Sequence, residues 1–297
     1  LDEAAFMDRE VWSEVIRPAL ADKQGWALFI STPDGTASWF YDLWCYVPED
    51  ESGDWTRWSF TTIEGGNVPK NEVEAARGQL DERTFRQEFE ASFENLTGLV
   101  AVSFSDENIS DEAKDLHMLP LYMGVDFNVD PLCGVCAVKH NENLYVFDEI
   151  ILRGGATTWD FAEEVVNRYG VDRRVITCPD PTGGARKTSG VGLTDHTILR
   201  RSGFTVSSPR APWKIRDKIT AVNTALYDAA GERRTIIHPR CKELIKALRT
   251  LTYAPNTGMP NKNLGVDHAF DAFGYLCLQQ FNLAKPETLG QTAFRIY

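Results

Sequence analysis

The chain has 297 residues, 43% hydrophobic and 25% charged, enough for one large domain or two ordinary ones with a substantial core. No stretch approaches the roughly eighteen apolar residues of a membrane span, and no basic segment leads an apolar run as in a secretory leader. The formal net charge of −12 argues at first against a nucleic-acid partner. Its distribution argues otherwise, because residues 1–120 carry −16 and 121–180 carry −5, whereas 181–250 carry +9 and 251–297 balance. A local positive surface draws in a phosphate backbone even on an acidic chain, although on charge alone a solvated basic face explains the segment equally well.

The chain opens on Leu1 without an initiator Met, as a fragment or processed product would. Leu1 reads as the exit of a strand, followed by a helix-compatible stretch from Phe6 to Leu20. Trp26–Ile30 is short, apolar and bounded by Gly25 and Ser31, the pattern of a buried parallel strand, and Ser31-Thr32-Pro33-Asp34-Gly35 ends it in a turn. A helix is expected around Trp39, Phe40 and Trp44, then a short strand near Trp58–Thr61. Residues 69–95 read as helical, started by Pro69, and the acid-rich Ser105–Asp115 reads as a linker.

From Leu121 the period changes to that of strands. Leu121–Phe127, Leu132–Lys139 and Leu144–Leu152 are separated by short turns, as in an antiparallel meander. A helix over Thr158–Tyr169, capped by Thr158 or Asp160, precedes a fourth strand at Val175–Cys178. Helices are then expected over Ile215–Ala230, Arg240–Thr250 and Val266–Gln279, with a short strand at Thr235–Ile237. Three antiparallel strands followed by α/β alternation is the order of an RNase H-like fold, a mixed sheet flanked by helices. Of the cysteines at 45, 133, 136, 178, 241 and 277, only Cys133 and Cys136 are close in sequence. A zinc site needs about four ligands, so free thiols in a strand core are the better reading.

Four acids stand out. Asp126 and Asp180 each sit where an apolar strand runs out, a costly place for a carboxylate that binds nothing. Asp267 and Asp271 lie four apart at the start of the last helix, on one face. Taken singly each is as readily a cap or turn residue. Together they suggest hard oxygen ligands for Mg²⁺ or Mn²⁺, with two ions supporting hydrolysis of a phosphodiester. Arg186 and Lys187 follow Asp180 in a Gly-rich turn and are placed to hold a phosphate. His268 is a candidate to orient a neighbouring carboxylate, equally a structural histidine, and Asp130 before Pro131 reads first as a turn residue.

Over nearly its whole length the chain resembles the large subunit of the DNA-packaging terminase of tailed bacteriophages and prophages. Leu1-Asp2-Glu3-Ala4 resembles the end of that family's Walker B motif, Ser31-Thr32-Pro33 its coupling motif, and Leu80 to Phe89 its region between domains. Asp126, Asp180 and Asp267-His268-Ala269-Phe270-Asp271-Ala272 resemble its nuclease acids. The resemblance implies a C-terminal piece of a P-loop ATPase at 1–60, with Asp2, Glu3, Ser31 and Thr32 serving ATP in the complete parent protein. It implies a helical region at 61–120 and an RNase H-like nuclease at 121–297. No Gly-rich loop with Lys-Ser/Thr occurs, so ATPase activity is not expected of this chain.

The implied activity is metal-dependent cutting of concatemeric double-stranded DNA. Asp126, Asp180 and Asp267 would be the ligands, Asp271 the second choice for the third, and Lys187 a catalytic partner. A portal protein, a small terminase subunit and a homo-oligomeric ring are the implied partners, with no membrane, in the host cytoplasm during capsid assembly. The rivals are another RNase H-like nuclease of resolvase or transposase type, and a non-catalytic DNA-binding packaging component whose acids are caps.

Overall fold

In the computed structural model of the chain, the described residues are all but 22–23, 36–37, 48–51, 95–97, 129, 185–192, 210, 256 and 282–297. They divide into two compact units, one made of 1–77, 82–98 and 253–259, the other of 78–81, 99–252 and 260–297.

Among the described residues, the second unit is built on six strands: β1 (Leu121–Asp126), β2 (Leu132–His140), β3 (Asn143–Leu152), β4 (Val175–Pro179), β5 (Thr205–Val206) and β6 (Thr235–Ile237). β1, β2 and β3 form the antiparallel meander expected from their spacing, with Val125 opposite Gly134 and Lys139 opposite Leu144. β4 runs parallel to the other side of β1, β5 parallel to β4, and β6 parallel to β3, giving the order β5-β4-β1-β2-β3-β6. The central strands carry near-continuous apolar runs because both faces are covered.

Alternation along β1 sends Leu121, Met123 and Val125 into one core with Phe161, Val165 and Leu199, while Gly124 faces the opposite way. A Cβ on Gly124 would overlap the carbonyl oxygen of Ala272, so glycine there lets the last helix lie directly on β1. That helix is α10 (Asp267–Gln280), the tenth in a series whose earlier members are α1 (Arg17–Ala21), α2 (Trp39–Tyr46), α3 (Thr62–Gly65), α4 (Lys70–Arg77), α5 (Glu82–Phe89), α6 (Thr158–Tyr169), α7 (Asp195–Arg201), α8 (Ile215–Leu226) and α9 (Lys242–Thr250).

Several local expectations change in the fold. The cap of α6 is Thr157, in a capping box with Asp160, rather than Thr158. Ser105–Asp115 is not a loose linker: Asn108 is fully buried and donates to the carbonyls of Leu226 and Thr235, and Ile109 bridges Ile237 in parallel. Residues 99–120 therefore pack with the sheet unit, ahead of the boundary expected at 120. α8 ends at Leu226, short of Ala230, where Asp228 accepts from the amides of Ala230 and Glu232 and closes a turn.

In the first unit, Trp26–Ile30 does not form the expected strand; among the described residues Ile30 makes a single parallel bridge to Asp2. A buried parallel strand needs partners on both sides, and Trp26, Leu28 and Ile30 stand exposed. Trp58–Thr61 likewise forms no strand. The expected helix over Phe6 to Leu20 is present from residue 9 to residue 21 as one run that is π-helical at Val11–Ile16 and continues into α1, preceded by a short 3₁₀ turn at Ala4–Phe6. Residues 69–95 hold two helices, α4 and α5, the first beginning just after Pro69 as expected. Trp12, Phe29, Trp39 and Trp55 instead pack edge-to-face and stacked into an aromatic cluster.

Candidate functional site

The parallel pairing of β1 and β4 sets Val125 opposite Pro179, and the amide of Asp180 donates to the carbonyl of Val125 at 2.9 Å. Asp126 and Asp180 therefore leave neighbouring strand ends side by side. α10 crosses over β1 and brings its first two turns to the same end, with Asp267 in the first turn and Asp271 one turn later. A carboxylate at a helix start gains from the unpaired amides there.

The acids have different surroundings. Asp126 is buried, and His268 Nδ1 donates to its Oδ2 at 3.0 Å. On the far side of the ring, Asn128 Nδ2 stands 3.0 Å from Nε2, which also lies 3.9 Å from Asp267 Oδ1. The bond to Asp126 holds the His268 pKa above its ordinary value against the opposing effect of burial, and Asp267 and Asp271 add to the rise. Asp267 is 4% exposed, and its Oδ1 has no hydrogen-bond partner among the described residues. A buried carboxylate oxygen left unpaired is costly.

Asp271 is paired with Lys218 of α8 at 2.5 Å, with burial raising its pKa and Lys218 pulling it back down. Tyr275, one turn further along α10, hydrogen-bonds Asp180 and lies near Asp271 and Asp126; burial first, then these charges, push its pKa well up. It therefore keeps its proton at any ordinary pH. Trp213 stacks on Tyr275 with ring centroids 6.3 Å apart. Asp180 accepts from the amide of Thr182 at 2.9 Å, and its carbonyl takes a bond from His196 Nε2, whose pKa burial lowers.

Asp126, Asp180, Asp267 and Asp271 thus share one end of the sheet. Asp130 does not join them, since its Oδ1 accepts from the amide of Gly154. Lys187 and Arg186 lie outside the described residues. In the first unit, Asp2 and Glu3 run beside Ile30 and Ser31: Ile30 donates to the Leu1 carbonyl at 2.9 Å and Ala5 donates to Ser31 Oγ at 3.2 Å. Lys218, Tyr275 and Asn128 are site neighbours that the sequence does not single out, because nothing local marks a lysine in a helix or a tyrosine inside another as facing an acid cluster.

Whether this end suits a divalent cation rests on two observations. The donors are hard oxygens, and one, Asp267 Oδ1, is buried without a partner. Among the described residues, no group of three or more His, Cys, Asp or Glu side chains is arranged to hold a metal ion by itself. Mg²⁺ takes one or two carboxylates and keeps several waters, so an open set of acids fits such an ion better than it fits zinc.

Comparison with known proteins agrees with the resemblance. No family profile matches the chain. It is 29% identical over 189 residues to the terminase large subunit of Escherichia phage T5, covering 58% of this chain and 42% of that one. The chain is similar to terminase large subunits. A segment of 43 residues, 14% of this chain and 9% of the other, is 56% identical to the large subunit of Thermus phage G20c. The chain thus spans less than half the length of these relatives. In three dimensions it is similar to the large terminase of a thermophilic bacteriophage, with a TM-score of 0.66 at 17% identity over 94% of this chain and 67% of that one. That likeness concerns the fold, a mixed α/β arrangement whose order β3-β2-β1-β4-β5 is RNase H-like, with β6 added beside β3.

Proposed function

We propose that the sheet unit is a metal-dependent endonuclease of a viral DNA-packaging machine, acting on concatemeric double-stranded DNA. The reading is supported by Asp126 and Asp180 at neighbouring strand ends, by Asp267 and Asp271 on the first two turns of the helix that lies on β1, and above all by a buried oxygen of Asp267 left without a partner among the described residues. Asp126, Asp180 and Asp267 would hold Mg²⁺ or Mn²⁺, with Asp271 the alternative to Asp267. Divalent ions at such a site supply Lewis-acid stabilisation of the phosphoryl oxygens and a more acidic attacking water, and a pair of them serves both the entering and leaving oxygens.

The chain's own groups do the rest. His268 donates to Asp126 Oδ2 and fixes how that carboxylate faces the site, while Asn128 meets the other ring nitrogen. Such outer partners of a ligand set its orientation and basicity. Tyr275 keeps its proton and donates a hydrogen bond through it to Asp180, which steadies that carboxylate in the same way. Lys187, beyond the described residues, is proposed to hold a phosphate next to the scissile one.

Asp2, Glu3, Ser31 and Thr32 are proposed to serve ATP within the complete parent protein; the pairing of residues 1–5 with Ile30 and Ser31 in the first unit supports a shared role. The portal protein, the small subunit and a homo-oligomeric ring are proposed partners of that parent, acting in the host cytoplasm.

The test is nicking of supercoiled plasmid by the chain with Mg²⁺, Mn²⁺ or EDTA. Cutting is expected with metal only, and Asp126→Ala and Asp180→Ala are each expected to reduce it by about a hundredfold or more, the scale of removing a group that stabilises the transition state. A folded wild type that cuts under no metal would exclude an active nuclease and move the non-catalytic DNA-binding reading ahead.

A further inference from the structure

A lysine stands inside the acid cluster, and stability does not account for it. The Lys218 side chain is 8% exposed and that of its partner Asp271 is 16% exposed. Desolvating both charges consumes most of what their attraction returns, so an apolar pair of similar size would serve stability as well. The surroundings hold the ammonium in place instead. The stem of Lys218 runs over Gly274, where a Cβ would collide with its Cγ, and Nζ lies 4.8 Å from the centre of the Tyr275 ring. Gly274 and Tyr275 both belong to α10, the helix that carries Asp271.

The ion pair engages Oδ1 of Asp271, and the charge of Asp126 lies close enough to push the Asp271 pKa up. Four carboxylates at one end of a sheet repel one another, and an untethered one turns away from the others. Lys262 adds a second favourable charge near Asp271.

We infer that Lys218 is a positioning residue of the site: by tying Oδ1 of Asp271 it fixes the direction of that carboxylate for a divalent cation. The inference rests on the metal-dependent reading above and deepens it, since it gives Asp271 a role at the site and a partner that sets it. It also explains glycine at 274, which leaves room for the lysine stem beneath α10.

The experiment is calorimetric titration of the chain with Mn²⁺, together with a thermal melt of each variant. Lys218→Met is expected to weaken Mn²⁺ binding about tenfold, the low end of the loss seen when an outer partner of a ligand is removed. Lys218→Arg, which keeps the charge and the bond, is expected to restore most of the affinity. In an Asp271→Asn background, Lys218→Met is expected to change nothing further, because the lysine acts through that carboxylate.

Unchanged Mn²⁺ affinity in a folded Lys218→Met chain, or losses that simply add in the double variant, would overturn the assignment. Should Lys218→Met not fold, Lys218→Arg and the neutral Lys218→Met/Asp271→Asn pair carry the test: weaker binding by the pair than by Asp271→Asn alone overturns the assignment. A wild-type chain that takes up no Mn²⁺ overturns the metal-dependent reading itself, a result distinct from unchanged uptake by the lysine variant.

Discussion

Gly124 shows how one atom decides where the acids stand. Its missing side chain lets α10 rest on β1 so closely that an added methyl would overlap the Ala272 carbonyl oxygen. Backbone on both sides of that contact cannot move as a flexible side chain could. Gly124→Ala is therefore expected to destabilise the sheet unit by about 3 kcal/mol, at the upper end of overpacking costs. It is also expected to lower the proposed nuclease activity by lifting Asp267 and Asp271 away from Asp126. Urea unfolding of the purified variant tests the first effect, and a midpoint equal to wild type would refute the close packing. Gly274 is the corresponding position between α10 and α8, with the difference that its neighbour is the stem of Lys218.

Among the elements, α9 has the least expected beginning. Its first amides are not capped by a nearby Ser, Thr, Asp or Asn; Glu149, in the middle of β3, accepts from the amides of Glu243 and Leu244 at 2.9 Å each. The strand thereby ties down the helix that follows β6. Burial raises the Glu149 pKa more than these two bonds lower it. A carboxyl whose folded pKa lies above its unfolded value contributes stability fully below the unfolded value, about 4.3 for glutamate, and loses it as pH rises through the folded value. Wild type should thus lose stability relative to Glu149→Gln as pH climbs through that window. The variant retains one acceptor for the helix start. Urea midpoints of both proteins across the window are the check, and a difference that does not vary with pH would count against the assignment.

At the scale of the whole molecule, charge is unevenly distributed. The chain is −12 overall, yet the segment 181–250, which includes α7, α8 and α9, carries +9. Some of those charges are already committed within the unit: Lys218 to Asp271, Arg234 to Asp228, Arg233 to Glu107 and Arg249 to Asp106. Arg200, Arg201, Lys214, Arg240, Lys242 and Lys246 are other basic residues of the same segment. If they meet the phosphate backbone, affinity for a duplex should fall at least roughly tenfold as salt rises from about 50 to about 200 mM, through counterion release. Fluorescence anisotropy with a labelled duplex measures the slope. A flat dependence would remove DNA binding through this segment, whatever the plasmid assay gives.

The sequence by itself determined the meander, β4, α10 and the four acids, because each of these signals is local. Strand periodicity is written in neighbouring residues, and an aspartate closing an apolar run is visible without knowing what lies beside it. Only the tertiary structure decided the features that depend on partners remote in sequence. Trp26–Ile30 has a strand's composition, but among the described residues it gains only the bridge from Ile30 to Asp2. Ser105–Asp115 looks like a linker until Asn108 is seen bonded to Leu226 and Thr235 across the fold. The α9 amides take their acceptor from a strand more than ninety residues earlier. Lys218 and Tyr275 carry no local mark of their place among the acids; close contact between α8 and α10 put them there, and it was permitted by an absent Cβ at Gly274. Composition and period record what a residue costs to bury, whereas the partner that offsets that cost is chosen by the packing of whole elements.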